Sequence, residues 1–201
     1  MLSMQNYHEI LGVIAVVIGV VSYVPYFRDI FLNKTKPHAF SWGMWGILTS
    51  IAFVAQVTEQ AGPGAWVTGI TAVACFLISV VSFVKGKRDF PKLDWMFLAS
   101  AILALLLWWQ TKDPLLSVIL ITVTDALSFC PTFRKGYRNP QEETVSTFMA
   151  SATKFLIGIV ALQSFAVVNW IYQASLVLMN GAFAVMLLVR RQQLRQRSFK
   201  R

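Results

Sequence analysis

Charge is scarce in this sequence. Asp, Glu, Lys and Arg make up 13% of its 201 residues, about half the share found in a soluble domain. Histidine and cysteine are scarcer, at two each. His8 and His38 flank the first apolar block and fall on opposite sides of a membrane, so they cannot cooperate at one site. Cys75 and Cys130 lie inside apolar blocks at different depths, which reads as two small buried residues, with neither a disulfide nor a metal site. A glycine-rich phosphate loop, a metal-spaced cluster and a catalytic constellation are all missing. The expectation is a protein that is not an enzyme and has no cofactor. Tyr7-His8-Glu9 precedes the first apolar block without a basic leader or a small-residue cleavage site, so no signal peptide is expected.

Apolar residues fill the space that charge leaves. The chain is 56% hydrophobic with a mean hydropathy of +0.59, and its apolar residues run in blocks of 15 to 22. A soluble amphipathic helix would break such blocks every three or four positions, whereas crossing a bilayer core of about 30 Å takes about 20 helical residues. Seven spans are predicted, at 10–27, 39–57, 65–84, 95–109, 115–133, 144–162 and 168–189. Lys36-Pro37-His38, Gly62-Pro63-Gly64 and Asp113-Pro114 supply turns between them. Asp94-Trp95 and Trp108-Trp109 suit the two membrane interfaces around the short fourth span.

The net charge of +9 sits between the apolar blocks, which argues for membrane orientation and against a nucleic-acid partner. Arg28, Lys34 and Lys36 follow span one; Lys85, Lys87, Arg88 and Lys92 follow span three; Arg134, Lys135 and Arg138 follow span five. The segment 190–201 adds Arg190, Arg191, Arg195, Arg197, Lys200 and Arg201. Sixteen basic residues thus share one side, against Lys112 alone on the other. The positive-inside rule places the N-terminus outside and a basic cytoplasmic tail at 190–201. Anionic lipid is a natural partner for that tail.

The chain also repeats itself. Ser22-Tyr23-Val24-Pro25-Tyr26-Phe27-Arg28 and Ser128-Phe129-Cys130-Pro131-Thr132-Phe133-Arg134 are offset by 106 residues, with Asn33 matching Asn139: five identities in twelve positions. After a one-residue slip, Ser41 and Met44 match Ser146 and Met149. The repeat covers 10–84 and 115–189. Four crossings separate equivalent points, so both triple-helix copies run in the same direction, with 95–109 as the linker helix. Parallel repeats of this kind form a known transporter architecture.

A Ser-x-x-Pro element at the end of the first helix, a basic loop and a Ser41-Trp42-x-x-Trp45 start to the second resemble the PQ-loop superfamily, which includes the SWEET sugar transporters and lysosomal amino-acid exporters. The Pro-Gln dipeptide itself is replaced by Pro25-Tyr26 and Pro131-Thr132. The resemblance implies a 3+1+3 helical fold, a cytoplasmic proline hinge carried here by Pro25 and Pro131, and a midplane Asn on the third helix of a repeat, matched by Asn180 and replaced by Cys75 in the first half.

Asp125, Lys154 and Asn180 fall near the bilayer centre on spans five, six and seven, where ionisable groups are costly and face protein or a water-filled cavity. Gly19, Thr49 and Cys75 occupy the equivalent positions of the first half. Asp125 and Lys154 are expected to lie at one depth and to pair. One reading is a solute site: Lys154 holds a carboxylate or phosphate, Asp125 an amine or a coupling proton, and Asn180 adds a donor and an acceptor. The other is a buried pair that fixes helices five and six. Trp42, Trp45 and Thr49 share a helix face, either stacking on a solute and closing its cavity or, for Trp42, anchoring at the interface. Pro25 and Pro131 form hinges of an inner gate or end their helices. Gln56 and Glu59, near the outer end of span two, either line an outer vestibule or, the preferred reading, are solvated loop polarity.

The expected function is a small-solute transporter using alternating access, for a charged or zwitterionic metabolite, with proton coupling through Asp125. The alternative is a receptor or assembly factor that captures a peptide or ligand in the same cavity. A homo-oligomer is compatible with either. Short loops and the lack of eukaryotic targeting features suggest a bacterial inner membrane.

Overall fold

The computed structural model describes residues 4–85 and 92–199, and among them it is all-helical, without strands. Seven α-helices follow in order: α1 Met4–Phe31, α2 Ala39–Thr58, α3 Trp66–Lys85, α4 Lys92–Thr111, α5 Pro114–Arg138, α6 Val145–Val160 and α7 Val167–Phe199. One-turn 3-10 helices, Gly62–Ala65 and Pro140–Glu142, precede α3 and α6. Five stretches are long and apolar enough to cross a membrane: Asn6–Phe31, Ala39–Thr58, Gly62–Lys85, Pro114–Arg138 and Val167–Gln196. They are compatible with an integral membrane protein. The apolar helices Leu98–Thr111 and Val145–Val160 are shorter. Lys87, Arg88, Lys200 and Arg201 of the basic clusters lie outside the described residues.

Helix ends follow local chemistry. The Asp113 carboxylate accepts from the Leu115 N–H at 2.9 Å with Pro114 at the first helical position, a paired start signal for α5. His38 caps α2 by accepting from the Ser41 N–H. Between α2 and α3 the chain passes Gly62 at φ +67, where a side chain would be strained and a Cβ would collide with Gln163. Two expectations change here. Pro25 lies inside α1 and position 131 inside α5, so neither proline ends its helix. The segment after residue 189 is no separate tail, because α7 continues to Phe199.

Packing relates the helices in two similar sets. α3 packs against both α1 and α2, and α7 against both α5 and α6. Across the two sets α1 meets α6 and α2 meets α5, while α4 lies against α5 and touches α2. Faces turned away from the bundle are apolar: Val13, Val17, Val20, Val21 and Val24 on α1, and Val73, Leu77, Val80 and Val84 on α3, are exposed. In water such a surface would be an extended apolar patch; in lipid it is the ordinary exterior. Many polar side chains point inward instead, among them Thr49, Gln56, Thr68, Thr71, Asp125 and Lys154.

Candidate functional site

Seen from the residues upward, the bundle centre is built around two charged side chains that do not meet. Lys154 is fully buried on α6, and its ammonium donates to Tyr23 Oη at 3.0 Å and to Thr71 Oγ1 at 2.8 Å. It also lies 4.5 Å from the Tyr23 ring centre and 5.0 Å from that of Phe155. Gly19 on α1 makes room for it, since a Cβ there would lie 3.3 Å from Lys154 Cδ. Asp125 on α5 is 1% exposed. Its Oδ1 accepts a long 3.4 Å bond from Tyr172 Oη, which accepts in turn from the Thr49 hydroxyl at 3.0 Å. Oδ2 has no partner. The expected Asp125–Lys154 pair is therefore corrected: Lys154 turns to α1 and α3 of the other set, while Asp125 turns to Tyr172 on α7 of its own set and reaches Thr49 on α2 only through it.

Those contacts have a pattern. Gly19 and Thr49, the sequence equivalents of Asp125 and Lys154, sit beside the charges of the second half, Gly19 against Lys154 and Thr49 through Tyr172 to Asp125. The first half supplies a small residue and a hydroxyl where the second supplies charge.

A cavity of about 40 Å³ opens beside Asp125, room for about three waters. Trp42, Trp45, Thr49, Asp125 and Asn180 all line it, as does Cys75, while Lys154 stands behind the lining residues Tyr23 and Thr71. Trp45 is held in place by its indole N–H, which donates to Ser128 Oγ at 2.7 Å; Ser128 donates on to the Asp125 carbonyl. Asn180 lines the wall, and its Nδ2 donates one of its two N–H groups to the Leu176 carbonyl one turn back, so half of its donor capacity is used within α7. Trp42 is buried between Tyr26 and Trp45, at ring distances of 5.0 and 5.1 Å, and is no interfacial anchor. Cys75 is buried, but Cys130 is exposed on the outer face of α5, against expectation.

Beyond Trp42, Trp45 and Phe148 lies a second cavity of about 50 Å³ towards the basic end, with Tyr26, His38, Ser41, Lys135 and Glu143 on its walls. These three aromatic side chains border both cavities. At that end Lys135 Nζ donates to Glu143 Oε1 at 2.7 Å and to the Lys36 carbonyl at 3.2 Å. Burial pushes the Glu143 carboxyl above the usual glutamate range, and the Lys135 ammonium opposes the rise. Thr144 donates to Asp29 Oδ2 at 2.9 Å and accepts from the Thr35 hydroxyl at 2.8 Å. Thr147 donates to the Ser22 carbonyl. Arg191 grips the Pro140 and Glu143 carbonyls.

The opposite end is closed by amides and close backbone. Gln56, fully buried, donates to the Asn169 carbonyl at 2.8 Å, Asn169 to those of Glu59 and Ser164, and Gln173 to that of Gly64 at 2.9 Å. His8 Nδ1 donates to the Ala161 carbonyl. A Cβ on Gly64 would come within 2.7 Å of the Gly158 carbonyl, so only glycine lets the Gly62–Ala65 turn lie against α6. Gln56 is thus part of a buried seal and not solvated loop polarity.

Several of these residues escaped the sequence reading. Tyr172 and Gln173 stand two turns before Asn180 on α7, a spacing that could have flagged Tyr172 and Leu176 as sharing its face. Tyr23 sits in the repeated motif, where its equivalent is Phe129. Asn33 and Asn139 match in sequence but differ in backbone, at φ +56 and −127. Among the described residues no group of histidine, cysteine or carboxylate side chains could hold a metal. No family model matches the chain, and neither the curated proteins nor the solved structures contain a match.

Proposed function

We propose that this chain is a small-solute membrane transporter of the kind its PQ-loop resemblance implies, with seven spans arranged as 3+1+3, the N-terminus outside, and the basic end in the cytoplasm of a bacterial cell. The observation that carries this reading is the cavity beside Asp125, lined from both triple-helix sets and closed at each end by a different set of contacts between them. At the basic end the contacts are side chains that can separate: the Trp42–Trp45–Phe148 partition, Thr144 with Asp29 and Thr35, and Lys135 with the Lys36 carbonyl. At the other end they are packed backbone and buried amides. Two seals of unlike strength around one site support alternating access, with the inner seal the easier to open. Pro25, inside α1, removes a backbone hydrogen bond where α1 would bend, and so does the proline at position 131 within α5.

Asp125 is the residue for a solute amine or a coupling proton, and Lys154 orders Tyr23 and Thr71 on the opposite wall. The cavity's size favours a compact solute over capture of a peptide terminus. The basic residues of α7 favour anionic headgroups at the cytoplasmic surface. The test is uptake into vesicles containing the purified protein. Asp125→Asn and Lys154→Ala are expected to abolish uptake while circular dichroism remains helical. Normal uptake in both variants would remove the site from the mechanism.

A further inference from the structure

The walls of the central cavity are more specific than a generic polar site. Trp42 and Trp45 from α2, Phe129 from α5, Phe148 and Phe155 from α6 and Tyr23 from α1 present aromatic surface. Trp45 and Phe129 lie 5.2 Å apart at a shallow interplanar angle of 34°, and Trp42 meets Trp45 edge-on at 88°. Into this box Asp125 brings a carboxylate with an unpartnered Oδ2. Among the described residues no basic side chain lines the cavity; the Lys154 ammonium is occupied by Tyr23 and Thr71. That ammonium already uses the Tyr23 and Phe155 rings as a cation would.

A buried carboxylate avoids a lone charge only by holding a proton or pairing with a cation. Ring faces carry negative potential, so they attract the same cation and repel an anion. A neutral alcohol would leave the carboxylate unpaired. Size narrows the class further: three waters correspond to roughly 90 Å³ of liquid, about the bulk of an ammonium with three non-hydrogen atoms. We infer that the cavity binds a compact organic cation, an alkyl- or methylammonium seated between the Trp42–Trp45 indoles and the free oxygen of Asp125. The inference rests on the transporter reading above and names its substrate class.

Calorimetric titration of the full chain in detergent tests it, with four small probes that differ in charge: dimethylammonium, neutral ethanol, anionic formate and zwitterionic glycine. Dimethylammonium is expected to bind at least tenfold more tightly than the other three. Asp125→Asn, which preserves shape, and Trp45→Leu should each weaken it at least tenfold, while Trp45→Phe, which keeps a ring face, weakens it less than Trp45→Leu. Equal binding of any other probe, unchanged binding in Asp125→Asn, or no binding of any probe would overturn the assignment. Counterflow in liposomes separates the two levels of the argument. A bound cation that is never exchanged leaves the binding class standing and removes transport; exchange of formate or glycine without cation binding does the reverse.

Discussion

Lys135 and Glu143 offer the sharpest energetic test of how the basic end is held. The ammonium and carboxylate are 2.7 Å apart, with the Lys135 side chain 27% exposed and that of Glu143 5%. Replacing Lys135 with Met leaves the carboxylate buried and unpaired, a change that costs about 3–5 kcal/mol. Protonation sets a ceiling on that loss. Neutralising a glutamate of ordinary pKa, about 4.3, costs roughly 3.7 kcal/mol at pH 7 and about 1 kcal/mol at pH 5. Removing Lys135 takes away the charge that opposes the burial-driven rise of Glu143, so the folded-state pKa moves further up. A carboxyl raised on folding contributes stability that is full below its unfolded pKa and is lost as pH rises through the folded value. Because Glu143 is already raised in the parent, the gap between Lys135→Met and the parent stays below that ceiling, growing from under about 1 kcal/mol at pH 5 to at most about 3 kcal/mol at pH 7. Unfolding in mixed micelles at pH 5, 6 and 7 measures it, with Glu143→Gln and the double variant alongside. The double variant should lose this pH dependence, because the neutral amide that Glu143→Gln introduces has no charge to strand. A gap that stays equal at all three pH values, or a double variant as unstable as Lys135→Met alone, would show that packing is responsible and refute the electrostatic account.

Other outcomes follow from the same geometry. Gly64→Ala, whose Cβ would lie 2.6 Å from Leu162 Cδ2 as well as against the Gly158 carbonyl, should cost about 1–3 kcal/mol by overpacking; Gly19→Ala meets the flexible Lys154 stem at 3.3 Å and Ile70 Cγ2 at an ordinary contact distance of 3.6 Å, and should cost visibly less in the same thermal assay. Gln173→Leu removes the donor to the Gly64 carbonyl and should destabilise by about 1–2 kcal/mol, read from the shift in thermal midpoint. Cys75 lines the cavity while Cys130 is exposed, so in a Cys130→Ser background maleimide labelling of Cys75 should be slow and should accelerate severalfold in Trp42→Ala; an unchanged rate would mean that Trp42 closes nothing.

Much of this protein was determined by local sequence. Apolar blocks of span length need no partner to be helical, because a backbone in lipid must satisfy its own hydrogen bonds, and the turns at Gly62-Pro63-Gly64 and Asp113-Pro114 depend on residues a few positions apart. The same holds for the depth of Asp125, Lys154 and Asn180, which follows from counting along a helix. Partners do not follow from counting. Counting puts Asp125 and Lys154 at one expected depth, but in the fold one turns towards Tyr172 and the other towards Tyr23, contacts that span 47 and 131 residues. Gln56 looks like surface polarity from its neighbours and becomes a buried seal only because α7 brings the Asn169 carbonyl to it across 113 residues. Cys75 and Cys130 occupy similar apolar sequence, yet one lines the cavity and the other faces outward. In a chain whose exterior is as apolar as its interior, hydrophobicity says that a residue suits lipid but not which way it points. That direction was decided by tertiary packing, where the polar groups had to find one another.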